Sequence, residues 1–459
     1  MLELESIIYG TFALGILALA LFFIKNDEFL FLIVGFFYSA GISRYKLVAS
    51  GGDGWVRVAY SRNIFNLTNE LGLKALNYFF LGTAVLTIAY FMFAMNRKPP
   101  PIMKDSDSTL KGFLKLAQTF VIGLFVGISV ISFYAKLSFA DAYRNSGASI
   151  ALGGSYYIML GFGLGGVISL MYLVFKNYDQ KKQLLSKVIF GAIIAFAGSL
   201  TYSSTGRFQF LSWSITMGLI FVGDKNPLYK LRVYLIGGLI VSLAFGLAGV
   251  SRRTDTSQLS FMQKMSLAWN RNTSTEDATM LDGFMMVLQV YPQHLEYHYG
   301  TEHLEILYRP IPRSMWPGKP LGGYANKLGL NDNMGGGSVG ISQSIYGSFY
   351  GEGGVGGIIV LSIVYAFIFS RIFAFACSYN SDIRFLIKGM AISSAVPLVR
   401  GGDLPGIYAF IGMTFWPVWL FLYRYRGYRS LLKMQNIKNL RFRNAFKQQD
   451  QEHIEKDMV

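Results

Sequence analysis

Long apolar runs constrain this chain more than any other feature of its sequence. A bilayer core of about 30 Å requires about 20 apolar residues per helix, and runs of that length recur throughout the chain. Charged residues make up only 15% of the composition, against about 25% in a soluble domain. We therefore predict an all-α polytopic membrane protein with about eleven transmembrane helices. The predicted spans are 4–24, 28–43, 72–95, 112–136, 151–175, 184–203, 207–223, 231–250, 353–376, 383–399 and 405–423.

The distribution of basic residues predicts the orientation of these spans. Residues 424–447 carry eight Lys and Arg and no acidic residue. A basic segment beside the last span favours a cytoplasmic C-terminus, and counting back places the N-terminus outside. The sequence then divides into helices 1–8 (1–250), one long outside loop (251–350), helices 9–11 (351–423) and a basic cytoplasmic tail (424–459).

Several other classes of protein are disfavoured. The first apolar run follows the acidic stretch MLELE, so we interpret it as a retained helix rather than a signal peptide. The single cysteine, Cys377, excludes an intrachain disulfide and a multi-cysteine metal site. The net charge of +16 is concentrated beside the membrane, which favours lipid headgroups over nucleic acid as the partner. Neither a GxxxxGK[ST] loop, a G-x-S-x-G elbow nor an H-E-x-x-H pair occurs.

Arginines at the predicted outer face are unexpected under the positive-inside rule. An ionisable group at a membrane boundary is costly and usually functional, and the arginine fork matches phosphate oxygens. Some of these arginines could instead reach headgroups or pair with Asp53, Glu302 or Asp403. Taken together, they predict a site for a lipid-linked phosphate or pyrophosphate. They are Arg44, Arg57, Arg62, Arg144, Arg207, Arg252, Arg253, Arg271, Arg309, Arg313 and Arg400.

Three of the four histidines lie together in the stretch HLEYHYGTEHLE, as His294, His298 and His303. On a helix, His294, His298 and Glu302 would share one face as candidate metal ligands, although Gly300 disfavours that helix. A catalytic base in this group and a solvated loop face are the other interpretations. All three remain open at this point.

The stretch RPIPRSMWPGKP, residues 309–320, is rigid, cationic and aromatic. Its prolines restrict the backbone, so the charges of Arg309, Arg313 and Lys319 would be held near a site. Trp316 is either a plate on which a sugar stacks or an interfacial membrane anchor.

This stretch, with YHYGTEHLEILYRPIPR leading into it, resembles the loop signature of the O-antigen polymerases, the Wzy-type oligosaccharide repeat-unit polymerases. SGGDGWVRVAY, STGRFQFL and SFYGEGGVGGI resemble other motifs of that family, in the same order. The spacing of Arg207 and Gly218 also resembles the family's arginine–glycine spacing. His303 departs from the pattern, since an aromatic residue is more usual there.

The resemblance implies a glycosyltransferase-C-like enzyme of the bacterial inner membrane, working on its periplasmic side in surface polysaccharide biosynthesis. It would be independent of metal ions and would need no cofactor. Such an enzyme transfers a growing glycan from one undecaprenyl pyrophosphate carrier to the non-reducing end of a repeat unit on another. By analogy, a chain-length regulator protein would be its partner.

The chemistry of such a transfer assigns roles to particular residues. A departing lipid pyrophosphate needs its developing charge stabilised by fixed cations. Our candidates for binding the pyrophosphate are Arg207, Arg313 and Arg400, supported by Arg309 and Lys319. The attacking sugar hydroxyl needs a base within hydrogen-bond reach. The candidate bases are Glu352, His298, His303 and Asp53.

Two other functions stay open. An O-antigen ligase would share the arginine-lined pocket but use lipid A core as its acceptor. A lipid-linked oligosaccharide flippase or other transporter would be expected to show internal repeats and charges at mid-membrane, and neither is evident in the sequence.

Overall fold

The protein is described here from a computed structural model. The structure describes residues 2–56, 65–97, 107–145, 162–177, 184–201, 207–250, 259–274, 279–308, 311, 315, 316, 318, 342–379, 381–402 and 404–457. Among these residues all regular structure is helical, so the predicted all-α class is confirmed.

The helices are numbered here in chain order. The first half of the chain holds α1 (Leu4–Lys25), α2 (Phe29–Phe37), a π-helix (Tyr38–Ser43), α3 (Arg44–Ala49), α4 (Asn69–Met95), α5 (Asp107–Asn145), α6 (Leu164–Asn177), α7 (Leu184–Thr201) and α8 (Arg207–Val222). The second half holds α9 (Pro227–Val250), α10 (Phe261–Ser274), α11 (Met280–Val290), α12 (Thr301–Tyr308), α13 (Ser344–Ala376), α14 (Ser381–Arg400) and α15 (Leu404–Asp457).

Seven helical segments among the described residues are long and apolar enough to cross a membrane. The multi-pass membrane character is therefore supported, while the count of eleven stays a prediction. The seven segments are Leu4–Lys25, Phe29–Ala49, Asn69–Met95, Ser108–Tyr134, Pro227–Ala244, Ser344–Ala376 and Leu404–Gln435.

The other predicted spans fall on shorter or more charged helices. Leu164–Asn177, Phe190–Thr201 and Gln209–Val222 are apolar but short. Helix α14 carries Asp382, Arg384 and Lys388, and its burial requires that such charges find partners inside the bundle.

The segment predicted as a long outside loop contains a buried helix. Helix α11 packs between α4 and α13, and almost all of its side chains are buried. Its sequence, MLDGFMMVLQV, is apolar but too short to be read as a span. This part of the predicted loop therefore belongs to the protein interior.

Helix α13 reverses direction at Gly353 and Gly354, where the backbone leaves helical geometry. Its first part, Ser344–Glu352, runs antiparallel to α4, and its second part runs parallel to it. The contacts that show this are Tyr350 with Tyr78, Tyr346 with Gly82, Phe367 with Phe93 and Ser370 with Arg97. The two parts form a helical hairpin whose tip is Glu352–Gly354.

Glycine is required at this tip. Gly354 has a φ of 62°, and a Cβ there would lie 3.0 Å from the hydroxyl of Tyr297. A positive φ strains most residues with a side chain. The sequence GEGG therefore makes the reversal and leaves Glu352 at its apex.

Two apolar clusters hold the bundle together. One joins α1, α2, α4, α11, α13 and α14, and the other joins α5, α6, α8, α14 and α15. Helix α14 contributes to both clusters, through Ala395 to the first and Leu386 to the second.

Buried ion pairs close the end of the bundle far from the hairpin tip, which we call the Asp27 end. Asp27 accepts a hydrogen bond from Arg97 at 2.8 Å, and Lys388 lies 3.1 Å from Glu28. Lys230 donates to the side chain of Asn26 at 2.7 Å. These contacts tie the α1–α2 connection to α4, α9 and α14. The opposite end of the bundle, with the hairpin tip, is called the Glu352 end.

Candidate functional site

Glu352 stands at the tip of the hairpin with both carboxylate oxygens engaged. Oε1 lies 2.6 Å from Nδ1 of His303, and Oε2 accepts the backbone N–H of Gly300 at 2.5 Å. The side chain is only 3% exposed, whereas that of His303 is 23% exposed. A buried carboxylate is stable only when it is paired and hydrogen-bonded, and the turn before α12 and the first turn of that helix supply one partner each.

The backbone next to Glu352 is clamped by the same turn. The N–H of His298 donates to the carbonyl of Gly351 at 2.9 Å, and the N–H of Tyr299 donates to that of Glu352 at 2.8 Å. The broken helix leaves these carbonyls without their usual partners, and the turn satisfies them. The hairpin tip and residues 298–303 therefore hold one another in place.

His303 continues the chain of hydrogen bonds toward α15. Its Nε2 lies 3.0 Å from the hydroxyl of Tyr365, which in turn contacts the hydroxyl of Tyr408. Because Nδ1 faces a carboxylate, it carries the proton, and Nε2 is then the acceptor. Glu352 and His303, both candidate bases from the sequence, contact each other in the structure.

His298 contacts a different partner. Its Nε2 lies 2.6 Å from the hydroxyl of Tyr291. The helical face proposed for His294, His298 and Glu302 is wrong, because the chain is non-helical from Tyr291 to Gly300 and α12 begins at Thr301. Tyr299 and Gly300 both have positive φ, which ends any such helix.

Metal ligation finds no support in this geometry. Within the described ranges, no three His, Cys, Asp or Glu side chains are arranged to hold a metal ion. That the protein needs neither a metal ion nor a cofactor stays a prediction.

A cavity of about 290 Å³ lies beside Arg400 at the end of α14. It is partly open and mostly apolar, and among the described residues that line it Arg400 carries the charge. Its other lining residues are Ser342, Pro397, Gly401, Gly402, Gly406, Ile407 and Phe410. A cation in a largely apolar cavity suits an anionic group attached to an apolar chain.

The turn after Arg400 fixes this cavity against the hairpin. Gly401 has a φ of 75°, and a Cβ there would lie 2.2 Å from the backbone of Ser344. Only glycine permits this close approach. Gln343 also donates to the carbonyl of Gly402 at 3.4 Å.

The cavity and the Glu352–His303 pair meet at the start of α15. Gly406, Ile407 and Phe410 line the cavity, and Tyr408 lies between them in sequence and contacts Tyr365. One turn of α15 therefore contributes both to the cavity wall and to the hydrogen-bond chain that begins at Glu352.

Asp53, the fourth candidate base, is paired with an arginine instead. Its Oδ2 accepts from Arg44 at 2.5 Å, and Arg44 also makes a bidentate pair with Asp282 of α11, at 2.9 and 2.8 Å. Arg44 and Asp282 are 1% and 0% exposed. Arg44 therefore pairs with acidic side chains of the protein, which is one of the two interpretations given for these arginines; the other is phosphate binding.

The remaining candidates lie partly outside the described residues. Arg207 begins α8, but its side chain is not described, and Arg309, Arg313 and Lys319 lie outside the described residues. Trp316 is 39% exposed and packs edge-on against Tyr308, the last residue of α12, at 5.5 Å between ring centroids.

Comparison with known proteins adds no assignment. No family model, curated protein or solved structure matches this chain. The resemblance of its short motifs to the O-antigen polymerases therefore remains a hypothesis, and the function is proposed from the geometry of the site.

Tyr365 and Tyr408 are the site residues that the sequence did not reveal. Tyr365 lies inside the apolar run VLSIVYAFIF and Tyr408 inside the last predicted span. A tyrosine within a span is a weak signal, since it is also a common packing residue.

Proposed function

We propose that this chain is a metal-independent membrane glycosyltransferase that polymerises undecaprenyl pyrophosphate-linked oligosaccharide repeat units. The growing glycan would move from its carrier to the non-reducing end of a new lipid-linked unit, releasing undecaprenyl pyrophosphate. The observation that carries the proposal is the Glu352–His303 pair, an oriented base beside the arginine-bearing apolar cavity.

His303 acts as the base and Glu352 orients it. The more exposed member of such a pair takes the proton, while the buried carboxylate fixes the tautomer and stabilises the imidazolium that forms. The acceptor hydroxyl would replace Tyr365 at Nε2 of His303 and lose its proton there. The new glycosidic bond forms as the bond between the donor sugar and the pyrophosphate breaks.

Arg400 stabilises the leaving group. The bond electrons go to a pyrophosphate oxygen, which Arg400 would contact from the cavity wall, with Arg207, Arg309, Arg313 and Lys319 as further candidates. The apolar cavity wall would accept the first part of the polyprenyl chain.

The orientation of the bundle supports a periplasmic site. Tyr379, just after α13, packs against Tyr425, and Arg429 lies over the Tyr379 ring. The basic segment of α15 thus begins at the end opposite the hairpin tip. With that end cytoplasmic, Glu352 faces the periplasm of a bacterial inner membrane.

The paired charges at the Asp27 end argue against a transport path. Asp27 pairs with Arg97 and Glu28 pairs with Lys388, so each of these largely buried charges has a partner within the bundle. A flippase or other transporter is therefore the weaker proposal, and an O-antigen ligase differs in its acceptor.

Purified protein incubated with a lipid pyrophosphate-linked repeat unit, without divalent metal or nucleotide, tests the proposal. Wild type should produce glycan ladders on a gel. Glu352→Gln and His303→Asn should lose about 100-fold or more in rate, because a positioned base contributes at least that much. Glu70→Gln, at an exposed carboxylate of α4, is the matched control and should retain wild-type activity.

Two outcomes would refute the proposal. Transfer that requires lipid A core would make the protein a ligase, and movement of the substrate between leaflets without new glycosidic bonds would make it a transporter. Full activity in both folded variants would remove His303 and Glu352 from the mechanism.

A further inference from the structure

Tyr299 combines three features that packing does not explain. Its φ is 47°, its side chain is 79% exposed, and it immediately precedes Gly300, whose N–H binds Glu352. Residues with a side chain rarely adopt positive φ, and strained positions cluster where a function requires them. Glycine or asparagine would be the ordinary residue in such a turn.

The position of Tyr299 is set by the hairpin tip. Its N–H donates to the carbonyl of Glu352 at 2.8 Å, so the residue is anchored to the backbone of the proposed site. The ring meets that of Tyr297 edge-on, at 6.1 Å between centroids and 76° between planes. With 79% of its side chain exposed, most of the Tyr299 ring surface is available for contact.

Tyr297 supports the ring of Tyr299 and is itself held by packing. It stacks on Tyr291 with 12° between planes and meets Tyr350 edge-on at 6.0 Å. Tyr350 in turn stacks on Tyr78 of α4. A row of packed tyrosines therefore runs from the bundle to the exposed ring of Tyr299.

We propose that Tyr299 is the platform on which a sugar ring of the acceptor glycan stacks, placing the acceptor hydroxyl at His303. This inference rests on the proposed function and adds a positioning residue to it. An aromatic ring with few rotatable bonds offers a large contact surface at low entropic cost, and the apolar face of a pyranose is complementary to it. Trp316, for which the sequence leaves sugar stacking and membrane anchoring open, is 39% exposed and contacts Tyr308 edge-on.

The first test is direct binding. The repeat-unit oligosaccharide, released from its lipid carrier by mild acid, would be mixed with purified protein and followed by saturation-transfer NMR. Wild type and Tyr299→Phe should transfer saturation to the sugar ring protons, and Tyr299→Gly should not. Because glycine tolerates a φ of 47°, this variant removes the ring without adding backbone strain.

The second test is kinetic. In the polymerisation assay Tyr299→Gly should raise KM for the lipid-linked unit by about tenfold, with kcat nearly unchanged. Tyr9→Ala removes an equally exposed tyrosine from α1, at 73% exposure, and should change neither constant.

The outcomes separate this inference from the proposed function. Equal saturation transfer in wild type and Tyr299→Gly would overturn the inference, as would a loss of membrane insertion or thermal stability without a change in sugar binding, the behaviour of an interfacial anchor. Sugar binding that depends on Tyr299 in a protein that makes no polymer would refute the proposed function alone. No sugar binding to wild type would refute the inference whatever the activity.

Discussion

Replacing Arg44 by methionine should lower the free energy of unfolding by about 3 to 5 kcal/mol. The size of this loss follows from the burial of Asp282, which is fully buried and would be left without its cationic partner. Arg44 donates two hydrogen bonds to Asp282, and bonds to charged groups contribute about 1.5 to 3 kcal/mol each. Asp53 is 37% exposed, so its share is small, about 1 kcal/mol or less.

The double variant Arg44→Met with Asp282→Leu should recover part of this loss. Replacing both members of a buried pair by apolar side chains removes the unpaired charge. Recovery stays incomplete because the N–H of Val56 also donates to Asp282, at 2.9 Å, and would lose its acceptor. An unsatisfied buried N–H costs about 1 to 3 kcal/mol.

The assay is thermal unfolding in detergent micelles, followed by tryptophan fluorescence and by the fraction of monodisperse protein. We expect the stability order wild type, Asp53→Asn, the double variant and then Arg44→Met. If Asp53→Asn were as damaging as Arg44→Met, the assignment of the energy to the Arg44–Asp282 pair would be refuted.

Two further predictions concern the hairpin tip and the opposite end of the bundle. Gly354→Ala should destabilise the protein by about 1 to 2 kcal/mol because of the positive φ at this position, and it should slow glycan polymerisation. Gly356→Ala is the control, because a Cβ there meets no atom within 4 Å. In unfolding and polymerisation assays it should retain more stability and more activity than Gly354→Ala. Arg97→Met should lower the free energy of unfolding by about 3 kcal/mol, because it removes the cation that pairs with buried Asp27. Arg424→Met is the control at an exposed position and should leave the unfolding midpoint unchanged.

The fold could be predicted from the sequence where the bilayer fixes the length of an element. The runs at 4–24 and 72–95 match α1 and α4 closely because a span needs a set number of apolar residues. The predicted start at residue 353 coincides with the reversal in α13. Residues 344–350 fall within the predicted loop, because no length rule applies to a short helix that folds back.

The sequence predicts two members of the candidate site, Glu352 and His303, but not their contacts. Glu352 and His303 stand out as polar residues near an apolar run, and a pairing 49 residues apart depends on how α12 docks on the hairpin. Tyr365 and Tyr408 lie within apolar runs, where tyrosine is a common packing residue. The contacts of Tyr365 with His303 and with Tyr408 therefore depend on tertiary packing.

The number of arginines in the sequence overstates how many of them can bind a ligand. Arg44 belongs to the set predicted to bind phosphate, but two carboxylates and the carbonyl of Gly54 engage its guanidinium. Arg400 instead borders a mostly apolar cavity of about 290 Å³. An arginine enclosed by the bundle requires buried acids as partners, whereas an arginine at a cavity wall can also reach a bound anion. The pyrophosphate site in this proposal therefore depends on Arg400 rather than on the number of arginines at the Glu352 end.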